Sequence, residues 1–318
     1  MHLGNYVGAV ENWVRLQDNF DCIYSVVDWH AITTEYESLR DYNLRERSEQ
    51  KAMELLAAGI DPERTLLFIQ SDVPQHGELA LLFGMFVPLP WLERVPTYKE
   101  QIQNLTGKDL LTFGFLGYPV LQSADILVYK ATHVPVGEDQ LPHIELCREI
   151  ARRFNFLYGD LFPEPQAMQT ETTRLPGLDN RKMSKSYDNA IDMVESADVT
   201  ANRISQMITD PQRVRRNDPG NPDVCSVYTY HKVFTPVERT AEIDVACRAA
   251  KIGCVECKKE LAANVNAYLA GFRARYAEIS SRPEKVREIL GDCAQTARGI
   301  AGGVLSEAKE AIGITRSA

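Results

Sequence analysis

The chain has 318 residues, of which 44% are hydrophobic and 25% charged, with a formal net charge of -9. That length is enough for two domains of about 100–200 residues each, and the composition excludes collagen-like, low-complexity and largely disordered chains. The negative balance excludes sequence-independent coating of nucleic acid, so an RNA partner has to be met by a local patch such as Arg213, Arg215 and Arg216, or Arg273 and Arg275.

In chain order, His2-Leu3-Gly4-Asn5 comes first and runs into an amphipathic helix carrying Tyr6, Val7, Val10, Trp13 and Val14. Amide groups at a helix start, a glycine allowing close approach and two polar side chains suit a phosphate, although a plain helix-start turn has the same pattern. Cys22 to Val27 and Thr65 to Gln70 are apolar β-rich runs. Between them the spacing predicts a helix over Ser38 to Ala58, stopped by Gly59 and the Asp61-Pro62 turn. Strand, helix, strand predicts a parallel βαβ unit, with Asp28-Trp29-His30 and Gln70-Ser71-Asp72 lining a cleft beyond the strand ends.

Leu79 to Leu92 is an uncharged run of 14 residues broken by Gly84, Pro88 and Pro90, short of the roughly 20 needed to span a bilayer. The start at Met1-His2 has no basic, then apolar, secretory pattern, so a cytoplasmic protein with reduced thiols is expected. From Gly117 to Phe154 the periodicity is helical, and Leu141, Ile144, Leu146, Ile150, Ala151 and Phe154 form a core stripe. Thr170 to Asn189 is a polar surface loop containing Lys182-Met183-Ser184-Lys185-Ser186. Helical patterns then recur at Asp192 to Ile208, Val237 to Ala249, Lys258 to Ser280 and Pro283 to Ala311. The expected fold is therefore α/β: a Rossmann-like parallel sheet over 1–187, followed by an all-helical domain over 188–318.

Two ammonium groups three residues apart on a segment of hydroxyl and small side chains can close on a triphosphate and neutralise charge as pyrophosphate leaves. With HLGN, this KMSKS run resembles the paired signatures of class I aminoacyl-tRNA synthetases. GYPVLQSADILVYK, VPVGEDQLPHIELCREIARRFN, DWHAIT and FIQSDVP extend the likeness to bacterial tryptophanyl-tRNA synthetases over nearly the whole chain. The resemblance implies ATP-dependent formation of tryptophanyl-adenylate and transfer to tRNA(Trp), with Mg²⁺ on the phosphates. It places His2, Gly4 and Asn5 on the α-phosphate and adenosine side, and Lys182, Met183, Ser184, Lys185 and Ser186 on the β- and γ-phosphates. Leu175 and Lys108 join the ATP ligands, and Gly137, Glu138 and Asp139 lie under the ribose. Asp125 accepts the indole N–H, and His30, Tyr118, Gln122, Val134, Val136 and Gln140 complete the amino-acid site.

A buried carboxylate there rejects phenylalanine, which has no donor to offer, more readily than tyrosine, which has one. A tyrosine enzyme and a non-catalytic tRNA-binding paralogue are the alternatives. In the resembled family a first strand and a Gly- and Pro-containing loop precede HLGN, and 79–92 helps to form a homodimer. With this chain starting at Met1-His2, weak stability and poor adenylation are expected.

Seven cysteines are an odd number for a disulfide framework, and Cys225, Cys247, Cys254 and Cys257 crowd together with C-x21-C-x6-C-x2-C spacing. Four thiolates suit a tetrahedral Zn²⁺ or a [4Fe-4S] cluster, and spacing does not decide between them. A subgroup of the resembled family carries a [4Fe-4S] cluster on a nearly identical pattern in its helical, anticodon-binding domain, which favours iron-sulfur, with Lys258 and Lys259 beside it. Cys22, Cys147 and Cys293 are expected to be core or incidental thiols.

Overall fold

A computed structural model of the chain describes residues 1–96, 111–169 and 174–315. It divides into two compact units, Met1–Val14 with Glu54–Gly59 and Thr172–Ser281, and Arg15–Met53 with Ile60–Glu171 and Arg282–Ala318. Both units cross the expected boundary after residue 187.

The unit containing residues 60–171 holds the strands. β1 (Ile23–Val26) and β2 (Leu66–Ile69) pair in parallel, from Ile23 opposite Leu66 to Val26 opposite Ile69, each within its expected run. The helix between them, Leu44–Ala58, starts later than the sequence pattern suggests, because Asp28–Glu35 forms a separate helix directly after β1. Gly59 stops it at φ +116°, a conformation that side chains on Cα disfavour. β3 (His133–Val136) and β4 (Gln166–Gln169) form a second parallel pair that the sequence pattern does not announce. β3 carries Pro135 and β4 alternates weakly, so neither reads as an apolar strand.

Helix Leu141–Tyr158 buries Ile144, Leu146, Ile150, Ala151 and Phe154 as its stripe requires. Phe154 meets Phe162 edge to face at 4.8 Å and Phe83 at 6.3 Å, at the centre of this unit's core. Helix Pro283–Ile312, expected among the later helices, packs against β2 and adds Ala294, Ala297, Ala301, Leu305 and Ala308 to the same core. Small side chains on one stripe let it approach closely, and Arg298 Nε donates to the Asp72 carbonyl at 2.5 Å.

In the other unit, residues 1–3 run antiparallel to 191–193, with Leu3 N–H on the Ile191 carbonyl at 2.8 Å and Met193 N–H on that of Met1 at 3.0 Å. This bridge and the Ser196 side chain, which caps Val199 N–H, start the next helix at Ala197 rather than Asp192. Helices Ala197–Gln206 and Ser226–Phe234 pack on Cys254–Ser280, which buries Leu261, Val265, Leu269 and Phe272. Arg273 donates to Thr200 Oγ1 at 2.7 Å and Arg275 to the Ala57 carbonyl at 2.7 Å, so both guanidinium groups of this candidate RNA patch are engaged by the protein itself. Among the described residues, no helix is long and apolar enough to cross a membrane.

Phe154→Ala should cost about 3–5 kcal/mol through a cavity among the rings, whereas the exposed neighbour Leu157→Ala should stay within about 0.5 kcal/mol. Urea unfolding followed by circular dichroism measures both midpoints, and equal shifts would remove Phe154 from the centre of the core.

Candidate functional site

The HLGN turn and the KMSKS loop belong to one unit and meet there. His2 Nδ1 accepts the Asn5 N–H at 3.1 Å, which fixes the start of the turn, and fully buried Leu3 anchors it. Gly4 N–H points at Met183 Sδ at 3.3 Å. A Cβ on Gly4 would lie 3.2 Å from that sulfur and 3.3 Å from His2 Nδ1, a tight fit that glycine relieves. Asn5 remains exposed.

The loop itself is organised around Asn189, a buried residue outside the motif. Its Oδ1 accepts Ser184 N–H at 2.8 Å, and its Nδ2 donates to Asp179 Oδ1 at 2.8 Å and to the Lys182 carbonyl at 3.1 Å. Asn189 and Arg181 hold the Asp179 carboxyl down at about 2. Gly177 closes the opposite side, where a Cβ would collide with the Asn189 amide. Lys182 is exposed, Leu175 is buried at the base of the loop, and Ser186 lies in the turn Lys185–Tyr187. Lys185 Nζ pairs with Asp192. Burial opposes the charge of both partners, but their contact outweighs it, raising the lysine pKa and lowering the carboxyl pKa.

The strand unit gathers the other candidates. Buried Asp28 accepts the N–H groups of Trp29 at 3.1 Å and Ser71 at 3.0 Å, tying the ends of β1 and β2 together as the βαβ reading anticipates. Asp125 lies within helix Phe113–Leu127, and its carboxylate meets four donor contacts. Oδ1 receives His76 Nδ1 at 2.6 Å and Gln70 Nε2 at 2.8 Å; Oδ2 receives His30 Nε2 at 2.8 Å and Gln70 Nε2 at 2.9 Å. Burial alone would raise its pKa, but the hydrogen bonds from His30 and His76 bring it below the usual value, so it is an anion at neutral pH. Tyr118 sits edge-on to His30 at 6.2 Å, and its hydroxyl meets His143 Nε2 at 3.2 Å. Gln122 is one turn before Asp125, and Val134 and Val136 are half-buried on β3. Gly137 follows the strand, with exposed Glu138 and Asp139 and then Gln140 in the next turn. Lys108 lies outside the described residues. Sequence reasoning missed His76 and Asn189, since a single buried histidine or asparagine carries no pattern of its own.

Burial first, then Cys225, Cys247 and Cys254, pushes the Cys257 thiol up to about 12, and burial also raises that of Cys247. Arg213 Nη1 lies 3.7 Å from Cys247 Sγ and 3.8 Å from Cys254 Sγ, while Cys257 Sγ faces His231 Nε2 at 3.3 Å. Among the described residues, no group of three or more His, Cys, Asp or Glu side chains is set to hold a metal ion. Cys225, Cys247, Cys254 and Cys257, expected to hold a [4Fe-4S] cluster with Zn²⁺ as the alternative, form no such group, and three of the sulfurs face a guanidinium or an imidazole. Arg213 also donates to the carbonyls of Arg216 and Ile252 at 2.8 Å, so of the three clustered arginines it is turned inward. Arg215, Arg216 and Lys259 line a cavity of about 610 Å³ beside Cys254.

The family model for class I tRNA synthetases (W and Y) matches residues 1–270. The tryptophan–tRNA ligase of Thermotoga maritima is 48% identical over 316 residues, covering 99% of this chain and 96% of that protein. The Aquifex aeolicus ligase is 40% identical, covering 99% and 97%. Among solved structures, Campylobacter jejuni tryptophanyl-tRNA synthetase complexed with ADP and tryptophan superposes with a TM-score of 0.89 at 33% identity, covering 98% of this chain and 96% of that one.

Asn189→Ala strands a backbone donor and a carbonyl in the loop and should cost about 1–3 kcal/mol. Tryptic cleavage after Lys182 should then be faster than in the unaltered protein; an unchanged cleavage rate would show that Asn189 does not hold the loop.

Proposed function

The chain belongs to the class I tRNA synthetases of the W and Y type, and from that premise we propose how its residues divide the work of joining tryptophan to tRNA(Trp). It is a tryptophan–tRNA ligase. The observation that carries the site reading is the closure of Met183, from the KMSKS loop, onto Gly4 of the HLGN turn.

The tryptophan carboxylate is ionised at neutral pH and needs no general base. One of its oxygens attacks the α-phosphorus of ATP in line, the bond to the bridging oxygen breaks, and pyrophosphate leaves with that electron pair. The protein has to align the reactants and offset charge on the phosphates. His2, Gly4 and Asn5 serve the α-phosphate and adenosine, and Lys182 and Lys185 the β- and γ-phosphates, with Met183, Ser184 and Ser186 shaping the loop and Leu175 its base. Mg²⁺, when bound with ATP, supplies further positive charge on the phosphate oxygens. Gly137, Glu138 and Asp139 hold the ribose. Asp125 accepts the indole N–H, and His30, Tyr118, Gln122, Val134, Val136 and Gln140 surround the amino acid. The bound ADP and tryptophan of the Campylobacter protein support these two ligand classes. In the second step the 3′-terminal ribose hydroxyl of the tRNA displaces AMP from the acyl carbon.

Pyrophosphate exchange should require tryptophan and proceed far more slowly with tyrosine. Lys182→Ala and Lys185→Ala should each lower the exchange rate by about 10²–10³ at saturating tryptophan. Exchange that is equally fast with tyrosine would overturn the amino-acid assignment, and tRNA binding without exchange would identify a non-catalytic paralogue.

Three finer readings go with this one. Within 188–318 lies the surface that contacts the anticodon region, and the protein works in the cytoplasm as a homodimer joined through the face carrying Leu81, Met85 and Leu89, which are 59%, 73% and 58% exposed. Cys225, Cys247, Cys254 and Cys257 hold a [4Fe-4S] cluster, which spans more than a single ion and so does not require three sulfurs around one point. Its support is four thiols in one neighbourhood with Arg213 beside them. Anaerobically purified protein should be brown with about four irons per chain; stoichiometric zinc, or neither metal, would exclude the cluster.

A further inference from the structure

We infer that His76, backed by Tyr129, is a positioning residue that fixes Asp125 as the acceptor of the indole N–H, and that His30 occupies the lone pair which the indole takes over. The inference rests on the reading of Asp125 given above and extends it to residues that neither signature motif contains.

A carboxylate offers about four lone-pair positions, and each oxygen of Asp125 already receives two contacts. Because the carboxylate is an anion with no hydrogen to give, His76 Nδ1 has to carry one. In the neutral ring, Nε2 is then an acceptor, and the Tyr129 hydroxyl lies 2.7 Å from it. Burial and the charge of Asp125 both disfavour ionisation of Tyr129, which keeps its proton for this bond. Tyr129 O–H to His76, and His76 N–H to Asp125, thus form a chain with one consistent direction.

The donors differ in how replaceable they are. Gln70 and His76 are 0% exposed, and the His76 ring is packed edge-on against Phe68 at 5.9 Å and Tyr129 at 5.3 Å. The His30 side chain is 17% exposed and has its edge contact with Tyr118, itself half-buried. An arriving N–H donor can displace His30 at little cost, because the imidazole finds water instead. Displacing His76 would strand a buried donor and the Tyr129 hydroxyl behind it. The carboxylate therefore exchanges one donor while three contacts hold it still. An amino acid with no donor at that point would remove His30 and offer nothing in return, which is a penalty rather than a missing bonus.

The test uses pyrophosphate exchange with tryptophan and with β-(3-benzothienyl)alanine, which has the same outline but sulfur in place of the N–H. The unaltered protein should show a KM for tryptophan roughly 10- to 100-fold below that for the sulfur analogue. His76→Leu should raise the KM for tryptophan about tenfold, leave that for the analogue nearly unchanged, and alter kcat little. His76→Asn retains a donor near the Nδ1 position and should restore most of the preference, and Tyr129→Phe, which loses one oxygen and no packing, should weaken it a few-fold. A parallel loss for both amino acids, or no rescue by asparagine, would reduce His76 to a packing role and overturn the inference. If Asp125→Asn abolishes the preference while neither His76→Leu nor Tyr129→Phe changes it, the inference fails and the Asp125 reading stands. If the unaltered protein does not separate the two amino acids, both fail together.

Discussion

A triphosphate concentrates its charge on a few oxygens, and a chain of net charge -9 has to meet it with cations fixed locally. In the proposed function that task falls to the loop carrying Lys182 and Lys185, which has almost no regular structure. Part of its order comes from Asn189, whose amide takes a backbone donor and returns two bonds. Gly177 gives that amide room. The Lys185–Asp192 pair has a mixed character, with the lysine 59% exposed and the carboxylate 18%. Partly exposed pairs contribute about 0–1 kcal/mol. That is sufficient to orient an ammonium group, and small enough to be given up to a more highly charged anion. Asp192 also lies in the segment bridged to residues 1–3, so the backbone that carries the lysine's partner is the same one that pairs with the HLGN turn.

The proposed amino-acid site poses the opposite problem, an anion in largely dry surroundings. Asp125 is tolerated because donors outweigh the cost of burial, and its lowered pKa records the balance. The arrangement needs side chains from three places in the chain: Gln70 at the end of β2, His76 at the start of helix Gln75–Gly84, and His30 on the helix after β1. The parallel pairing of β1 with β2 is what places two of these near each other. The strand pair therefore sets where the segments carrying His30 and Gln70 begin.

These structural roles were unevenly legible in the sequence. β1, β2 and the loops beyond them follow from apolar runs bounded by turn residues, and the stripe of helix Leu141–Tyr158 follows from its period. The motifs were visible because lysines, glycine and hydroxyl residues at fixed spacing point to phosphate chemistry. His76 and Asn189 were invisible because their roles depend on partners 49 and 5–10 residues away. β3 and β4 were missed because four-residue strands with a proline or two glutamines carry too little alternation. The late helices were placed correctly as helices, but type alone does not say which core a helix joins. Pro283–Ile312 presents Ala294, Ala297, Ala301, Leu305 and Ala308 at three- and four-residue steps, and the helix packs on β2.

Arg213 illustrates the same limit from the side of charge. As a sequence it belongs with Arg215 and Arg216 to a basic run, yet its guanidinium gives hydrogen bonds to two carbonyls and lies beside two sulfurs. Burial raises the Cys247 pKa, the neighbouring thiols raise it further, and Arg213 acts against both. Ionising several adjacent thiols is uphill, since each thiolate repels the next in a medium that screens poorly. A fixed cation among them reduces that cost without taking part in any bond to be formed. Arg213 thus acts as an electrostatic counterweight for the cysteines while lining, with Arg215, Arg216 and Lys259, the cavity beside Cys254.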